Sequence, residues 1–313
     1  MNKIELRTKE ELEARLCQHL EQRQIPDYAL YLGNSGVKNW LDLDNSTEFT
    51  VASSLTDLLR QSVPALASHI PGRFDMVSLG VGGGEKEQIL LETLVKRSVP
   101  AYYAVDISSE MVDKALATVA DIDIEKTGMV AFLEDLPRIK QFWTPPVLLC
   151  LLGNNFCNYD PDYLLKTVHT QLRDDDLFLF DCQLLQLRCK EQIEQMYRSR
   201  LNAHFNLGPL IQRGMDPDSC AFHLELLPLE TSLGTVYRTR KWLEILKDSV
   251  ISCGGNSIVL RAGDTVSMGG FTYKHTCSQV RGYLHQNGFR EEELFLSPDE
   301  TNLLVLARKA PTG

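Results

Sequence analysis

Three glycines, each separated from the next by one residue, stand where an apolar run gives way to a helical pattern. Gly80, Gly82 and Gly84 follow the apolar residues 76–79 and precede the segment 85–97, whose apolar residues recur at helical spacing. A strand, a glycine turn and a helix N-terminus form the place where α/β proteins hold the phosphate or carboxylate end of a cofactor. This stretch therefore predicts a cofactor site.

The spacing of the glycines distinguishes between cofactors. A dinucleotide fingerprint places its third glycine where Glu85 stands, and a negative side chain there suits a pyrophosphate poorly. A nicotinamide dehydrogenase is therefore disfavoured. The pattern G-x-G-x-G resembles motif I of the class I methyltransferases that use S-adenosylmethionine, and this resemblance implies that the cofactor lies across the three glycines.

Acidic residues follow the next two predicted strands. Asp106 ends the run 101–105, and a carboxylate at that edge of a sheet can accept hydrogen bonds from both ribose hydroxyls. Alternatively, Asp106 caps the helix that follows it. Asp135 and Leu136 come after the run 129–133, so we expect them to border the same cofactor.

The loop after the fourth predicted strand, "LLCLLGNNFCNYDPDYLL", resembles the histidine-specific N-alpha-methyltransferase family of the ergothioneine pathway. The resemblance covers about residues 70–310. It implies that Gly153 is the turn glycine beside the cofactor and that Lys86 lies on the cofactor side. It also implies that Asn158 touches the amino-acid end of the substrate, while Tyr28 and Tyr31 are candidates for the family's substrate tyrosines.

The chain departs from that family at the end of its insertion. The family has Glu-x-Ser-x-Lys-Phe there, with the Glu and Ser holding the substrate; "GGFTYKHT" instead places Gly270 at the Glu position and Thr272 at the Ser position. Loss of a carboxylate that pairs with a substrate cation in a closed pocket costs ~2–5 kcal/mol of binding. We therefore expect Thr272 to contact the substrate and the acceptor to be other than free histidine.

Methyl transfer from a sulfonium is an in-line displacement, so the protein mainly has to position the acceptor, and no metal is required. We assign this positioning to Asn158 and Tyr159, and we expect a small amine or amino-acid-like acceptor. Three other side chains have less claim to catalysis. No base stands at recognisable spacing from Cys157, His223 lies in an apolar alternation typical of a core histidine, and His204 has no better claim.

The segments around these residues alternate between strand and helix. Strands are predicted at 75–80, 101–105, 129–133, 147–152 and 177–181, with helices at 85–97, 108–120 and 161–173. Continuous apolar strands that alternate with amphipathic helices are typical of a parallel, doubly wound α/β sheet. The predicted fold is therefore the Rossmann-like sheet of class I methyltransferases.

Two further segments interrupt this rhythm. We expect residues 1–70 to form an N-terminal helical extension, interrupted by a loop at 32–40, and residues 186–272 to form an insertion. Together they build a second lobe over the substrate. The cofactor-binding domain then comprises residues 71–185 and 273–313.

Composition narrows the class of protein. The formal net charge of −10 and the lack of a Lys/Arg block argue against non-specific nucleic-acid binding. Neither a signal peptide nor a membrane-spanning helix is expected, so eight dispersed cysteines predict a cytoplasmic protein with reduced thiols. A zinc site at Cys150, Cys157, Cys182 and Cys189 is disfavoured because it lacks paired short spacings.

Other functions remain open from the sequence. The same fold could methylate a protein, a peptide or RNA, or the chain could be a non-catalytic scaffold that binds S-adenosylmethionine. The oligomeric state is not predicted.

Overall fold

The computed structural model describes residues 2–70, 72–97, 99–144, 146–186 and 190–311. Its strands are Asn2–Glu5 (β1), Gln24–Ile25 (β2), Asp75–Leu79 (β3), Ala101–Asp106 (β4), Glu125–Val130 (β5), Val147–Leu151 (β6), Leu177–Gln183 (β7), Cys220–Thr231 (β8), Gly234–Ile245 (β9), Ser249–Cys253 (β10), Asn256–Leu260 (β11), Thr265–Met268 (β12), Tyr273–Lys274 (β13), Phe289–Leu296 (β14) and Asn302–Lys309 (β15).

Its helices are Lys9–Glu21 (α1), Gly33–Asp44 (α2), Val51–His69 (α3), Glu85–Leu94 (α4), Ser109–Thr118 (α5), Leu136–Ile139 (α6), Pro161–Gln171 (α7), Lys190–Tyr197 (α8), Arg200–Ile211 (α9) and Cys277–Gln286 (α10). Thr8 caps α1 with its side chain and Pro161 stands in the first turn of α7, as their sequence positions predict. In the described residues no helix is both long and apolar enough to cross a membrane.

A sheet of eight strands, in the order β1-β5-β4-β3-β6-β7-β15-β14, forms the centre of the molecule. The strands from β1 to β7 in this order run parallel, whereas β15 is antiparallel to both of its neighbours, β7 and β14. Every residue of β3 and β6 is buried, because helices cover both faces of the sheet. The predicted doubly wound α/β fold is confirmed.

A second lobe contains the sheet β13-β9-β12-β2, with β8 paired to β9, and the hairpin β10–β11. Its core includes Leu16 and Leu20 of α1, Leu210 of α9 and Leu243 of β9. Strand β2 pairs in parallel with β12 through Gln24 and Ser267, so residues near both ends of the sequence meet in this lobe.

The packing divides the N-terminal segment differently from the prediction. Strand β1 pairs with β5 at the edge of the central sheet. Helix α3 buries Leu59 and Leu66 in the same hydrophobic cluster as Met76 of β3. Residues 1–70 are therefore not one part of the second lobe, because both ends of this segment pack with the central sheet.

Two predicted elements are wrong in detail. The third strand covers residues 125–130 and not 129–133, because its polar start pairs with β4 and its end pairs with β1. The segment 32–40, predicted as a loop, lies largely in α2. Gly36 permits this, because a Cβ there would stand 2.7 Å from the backbone oxygen of Leu30.

The prediction of reduced cysteines is wrong for one pair. Cys17 of α1 and Cys253 of β10 form a disulfide within the second lobe. Because 236 residues separate the two cysteines, no local sequence pattern predicts this bond. Cys150, Cys157 and Cys182 are free and buried, and Cys189 lies outside the described residues. Within the described chain, the metal-ligand cluster found is Glu13 with the two disulfide cysteines.

Candidate functional site

A cavity of about 300 Å³ lies at the carboxyl ends of β3, β4 and β6. Strand β3 stands between β4 and β6, and the chain changes direction across the sheet at this point. Open α/β sheets bind ligands at such a switch point because two loops diverge there and leave a crevice.

The turns after β3 and β6 are held together at the floor of this cavity. Asn155 donates hydrogen bonds from Nδ2 to the backbone oxygens of Gly80 (3.1 Å) and Leu152 (2.7 Å). Gly80 has φ +64°, and a Cβ on it would stand 2.8 Å from the Asn155 amide. This position therefore needs glycine for both backbone angle and space.

Asp106 presents a buried carboxylate at the end of β4. It accepts hydrogen bonds from the backbone N–H of Gly82 (3.2 Å) and of Ser108 (2.9 Å), which join it to the glycine turn. Burial raises the pKa of this carboxyl to about 6, although the backbone hydrogen bonds oppose the rise. The carboxylate retains acceptor sites that face the cavity, where hydroxyl groups of a ligand can bind.

Two opposite charges border the cavity beside the glycine turn. Lys86 places Nζ 3.6 Å from where a Cβ on Gly153 would stand. Asp44 of α2 has an Oδ1 atom that is buried and has no hydrogen-bond partner in the described structure. Burial raises the pKa of Asp44, and the positive charge of Lys86 opposes this rise. An ammonium and a carboxylate at one end of a ligand would complement this pair.

The turn after β6 is fixed from below by Asp181. Its carboxylate accepts hydrogen bonds from the backbone N–H of Gly153 (3.0 Å) and Asn154 (2.7 Å). Asn154 in turn accepts, through Oδ1, a hydrogen bond of 2.8 Å from the backbone N–H of Gln183. These bonds set the position of the loop that carries Asn158.

A second, smaller cavity of about 60 Å³ adjoins the first and extends into the second lobe. Six residues border both cavities: Asp27, Tyr31, Trp40, Asp44, Gly153 and Asn158. Tyr31, Trp40 and Phe205 pack as a cluster of aromatic rings with centroids 5.4–5.5 Å apart. The two cavities therefore share a wall made of aromatic rings, carboxylates and one amide.

Asn158 and Thr272 meet at this wall. Thr272 donates a hydrogen bond from Oγ1 to Oδ1 of Asn158 at 3.2 Å, and its own N–H donates to Thr239 Oγ1 at 2.7 Å. Tyr159 borders only the first cavity, and burial raises the pKa of its phenol, so the hydroxyl is neutral at physiological pH. The structure thus brings Asn158, Thr272 and Tyr31 to one cavity and Tyr159 to its neighbour.

Five of the predicted cofactor residues line the first cavity, namely Gly80, Gly82, Lys86, Asp106 and Gly153. The other three do not. Gly84 ends the turn at φ +86° and packs on α5, where a Cβ would stand 2.8 Å from Ala115 Cα. Its smallness therefore serves the packing of α4 on α5.

Asp135 and Leu136 are likewise absent from the lining of the cavity. Arg7 donates two hydrogen bonds of 2.8 Å to the Asp135 carboxylate, which also accepts one from the backbone N–H of Phe132. Burial acts to raise the pKa of Asp135, but these hydrogen bonds hold it below its usual value. Leu136 is fully buried in the main core, and Glu134 borders the cavity in place of its neighbour Asp135.

Several residues that line the cavities were not predicted from the sequence. Trp40 and Asp44 come from α2, of which residues 33–40 were predicted as part of a loop, and their spacing of four residues is a helical signal. Asp27 and Lys241 carried no local signal, because they stand more than 200 positions apart in the sequence and meet only through folding.

A comparison with the solved structures finds matches at low identity. A methyltransferase from Clostridium acetobutylicum ATCC 824, described as S-adenosylmethionine-dependent, is 12% identical, with 83% of this chain and 92% of that chain covered and a TM-score of 0.43. A protein from Pyrococcus horikoshii OT3 is 13% identical, with 85% and 93% covered and a TM-score of 0.46. An amino pentose methyltransferase from Micromonospora echinaspora is 10% identical, with 87% and 96% covered and a TM-score of 0.38.

No curated protein matches the chain. A family model, in contrast, matches residues 8–309, which is nearly the whole sequence, and it describes a histidine-specific methyltransferase that is SAM-dependent. The predicted family, the enzymatic activity and the cofactor S-adenosylmethionine are thereby confirmed. The chain belongs to the family of histidine-specific, S-adenosylmethionine-dependent methyltransferases.

Proposed function

We propose that this enzyme methylates the nitrogen of a small amine or amino-acid-like acceptor. The observation that supports this most directly is the small second cavity, about 60 Å³, which joins the cofactor cavity beneath the second lobe. Ligand pockets for drug-sized molecules span ~300–1,000 Å³, so this space suits a compact molecule, and a protein or RNA acceptor would reach it only with a single small group.

The residues of the first cavity fit S-adenosylmethionine. The Asp106 carboxylate has free acceptor sites for the ribose hydroxyls. The unpartnered Oδ1 of Asp44 and the ammonium of Lys86 complement the amino and carboxylate groups of a methionine end. Bound there, S-adenosylmethionine supplies a methyl group on a positively charged sulfur, whose C–S bond breaks as the acceptor forms its new bond.

The chain's own residues then position the acceptor. Asn158 accepts a hydrogen bond from Thr272 and donates one of 3.4 Å to Oδ1 of Asn155, which orients its amide. The second N–H of this amide is left for the acceptor. Tyr31 and Trp40 border both cavities, and apolar rings in this place would help to keep water from the transfer. Tyr159 stays a candidate for contact with the acceptor from the cofactor side.

The cofactor part of this proposal is tested by calorimetric titration with S-adenosylhomocysteine. We expect micromolar binding to the wild type, and at least a tenfold loss in Asp106→Ala, since hydrogen bonds to a charged group contribute ~1.5–3 kcal/mol each. Asp121→Ala, which changes an exposed carboxylate, serves as the matched control. Because the pKa of Asp106 is about 6, binding should strengthen as the pH rises from 5 to 7.

The acceptor part is tested by incubating the protein with S-adenosylmethionine and single amines or amino acids, with free histidine among them. Methylated products are detected by mass spectrometry. Methylation of at least one small amine supports the proposal. A folded wild type that does not bind S-adenosylhomocysteine would contradict it, as would methylation restricted to proteins or RNA.

A further inference from the structure

Charged side chains contact the disulfide between Cys17 and Cys253. Arg213, just beyond the end of α9, places Nε 3.3 Å from Cys253 Sγ. Glu13, one helical turn before Cys17 on α1, places Oε1 3.7 Å from the same sulfur. Arg213 and Glu13 also form an ion pair with each other at 2.6 Å. The sulfur of Cys253, a residue only 2% exposed, therefore lies between a cation and an anion.

This cluster is better suited to sulfur chemistry than to a metal. The ligand atoms of Glu13, Cys17 and Cys253 lie within 4.8 Å of one another, as in a metal site. However, the guanidinium of Arg213 contacts both Glu13 and Cys253, so it already supplies the positive charge there. It is held in place because Nη1 donates a hydrogen bond of 2.8 Å to the backbone oxygen of Pro209. A metal cation in the same place would be repelled.

The two charged groups give the buried sulfur a partner in either form that it takes once the bond is open. A thiolate of Cys253 accepts a hydrogen bond from Arg213 Nε, which stabilises its negative charge. A neutral thiol donates instead to Glu13 Oε1. The side chain of Glu13 is 41% exposed and that of Arg213 only 9%, so water screens the anion more than the cation. The balance of charge therefore favours the thiolate.

Cys17 is the more exposed of the two cysteines. It is half-buried, and it lies beside the exposed turn of Gly254 and Gly255 that joins β10 to β11. A Cβ on Gly254 would stand 3.3 Å from Cys17 Sγ, whereas a Cβ on Gly255 would have no described atom within 4 Å. The lack of a side chain at position 254 therefore leaves the Cys17 sulfur open to a reagent.

We propose that the Cys17–Cys253 bond is a redox site, which a dithiol reductant opens by attack on Cys17. A thiolate of the reductant forms an S–S bond with Cys17 Sγ, the Cys17–Cys253 bond breaks, and its electron pair goes to Cys253 Sγ beside Arg213. The second thiol of the reductant gives its proton to water and bonds to the first sulfur, and Cys17 leaves as a thiolate that takes up a proton. The reductant is oxidised to a disulfide and the protein is reduced. None of these residues takes part in the proposed function.

Opening the bond affects a wall of both cavities, because α1 leads directly to it. After α1 come β2 and the 3₁₀ turn Asp27–Tyr31, whose first and last residues border both cavities. Backbone N–H groups of Ser267 and Gly269 hold β2 by hydrogen bonds of 2.8 and 2.7 Å. The disulfide ties α1 to the hairpin β10–β11, so its loss should let α1 and β2 detach more often. The redox state of the bond therefore changes how firmly this wall is held.

The role of the charges is tested on the folded full chain, with dithiothreitol as the dithiol and with mass spectrometry of alkylated Cys17 and Cys253 peptides. Arg213→Met and Glu13→Gln break the same ion pair but should act in opposite directions. At pH 8, Arg213→Met should lower the equilibrium constant for reduction by about fivefold or more, and Glu13→Gln should raise it by about twofold or more. Arg213→Lys, which keeps the charge, should recover part of the loss. Lys247→Met, which removes an exposed positive charge from the same lobe, should change nothing.

The site of attack is tested with glutathione, a monothiol, followed by rapid alkylation. The mixed disulfide should form on Cys17, and the alkyl group should appear on Cys253. Gly254→Asn should slow reduction by about fivefold or more, because its side chain covers the Cys17 sulfur. Gly255→Asn is the matched control, since it places the same residue at the other left-handed position of the turn, which asparagine tolerates.

The effect on the cavity wall is tested by hydrogen exchange of the wild type with and without excess dithiothreitol. The amides of Ser267 and Gly269 should exchange about threefold or more faster after reduction, whereas that of Gly82, which donates to Asp106, should not change. Four results would overturn the inference: a disulfide that stays closed in excess dithiothreitol, glutathione attached to Cys253, changes of the same sign in Arg213→Met and Glu13→Gln, or unaltered exchange at Ser267 and Gly269.

Discussion

Glu87 makes the stability of the cofactor-free protein depend on pH. It lies in α4 with a side chain only 2% exposed, and it accepts a hydrogen bond of 2.6 Å from Ser78 Oγ. Burial raises its pKa from 4.5 to about 7, against the opposing effect of that hydrogen bond. The stability it contributes is therefore complete below pH 4.5 and is lost as the pH rises through about 7.

Glu87→Gln removes this titration while keeping the shape and the acceptor for Ser78. At ~1.4 kcal/mol for each pH unit between the unfolded and folded pKa, the full difference is about 3 kcal/mol. In the wild type, part of this stabilisation is already lost at pH 5. The difference in unfolding free energy, variant minus wild type, should therefore increase by about 2.5 kcal/mol between pH 5 and pH 8.5.

The measurement is urea unfolding of both proteins, without cofactor, at several pH values across this range. Glu92→Gln serves as the control, because Glu92 is exposed on the same helix. Its difference from the wild type should stay flat. If the Glu87→Gln difference were also flat, Glu87 would ionise normally and the account of its burial would be wrong.

Two further predictions concern residues outside the cavities. Arg7→Met should lower the unfolding free energy by about 2–4 kcal/mol at neutral pH, because the buried Asp135 carboxylate loses its two shortest hydrogen bonds and keeps only the Phe132 N–H and the more distant Arg138. This loss should fade as the pH falls below 3.8, the usual pKa of that group. The affinity of Arg7→Met for S-adenosylhomocysteine should differ from that of the wild type by less than threefold. A tenfold loss would indicate that Asp135 does contribute to cofactor binding. Replacement of the Cys17–Cys253 disulfide by two serines should lower the unfolding free energy by about 2–4 kcal/mol in non-reducing buffer, and equal stabilities would show that the bond does not form.

The sequence was sufficient to predict the parts of the fold and site that are built from residues consecutive in the chain. The strand, the glycine turn and the helix of residues 75–94 are consecutive, so their periodicity and the G-x-G-x-G spacing predicted both the central strand and the cofactor. Asp106 followed from the same reasoning, since parallel strands end at one edge of the sheet.

The sequence was insufficient to predict contacts between segments that are distant in the chain. Asp135 stands at a strand end, as a cofactor residue would, but Arg7 from the N-terminus captures it. The strand β5 begins earlier than its apolar residues indicated, because its partner strands and not its own hydrophobicity determine its pairing. Neither the Arg7–Asp135 contact nor the pairing of β5 can be predicted from a local sequence pattern.

Position 270 illustrates the same limit. In the sequence, Gly270 stands for a lost carboxylate, and that loss was the reason to expect an acceptor other than free histidine. In the structure, the carboxylate of Asp27 occupies the adjoining space. The loss of charge therefore no longer weighs against histidine, and its exclusion stays a prediction that the acceptor screen decides.

The pairing of β2 with β12 has a consequence for synthesis of the chain. Gln24 meets Ser267, which the ribosome adds 243 residues later (267 − 24). At ~5–20 residues per second, the turn that bears Asp27 waits roughly 10–50 s for the strand that holds it in place. The first cavity, the proposed cofactor site, draws its glycine turn, Asp106 and Gly153 from the first half of the chain, whereas the second cavity, the proposed acceptor site, needs Lys241 and Thr272. A nascent chain therefore has all of these residues of the proposed methyl-donor site well before those of the proposed methyl-acceptor site.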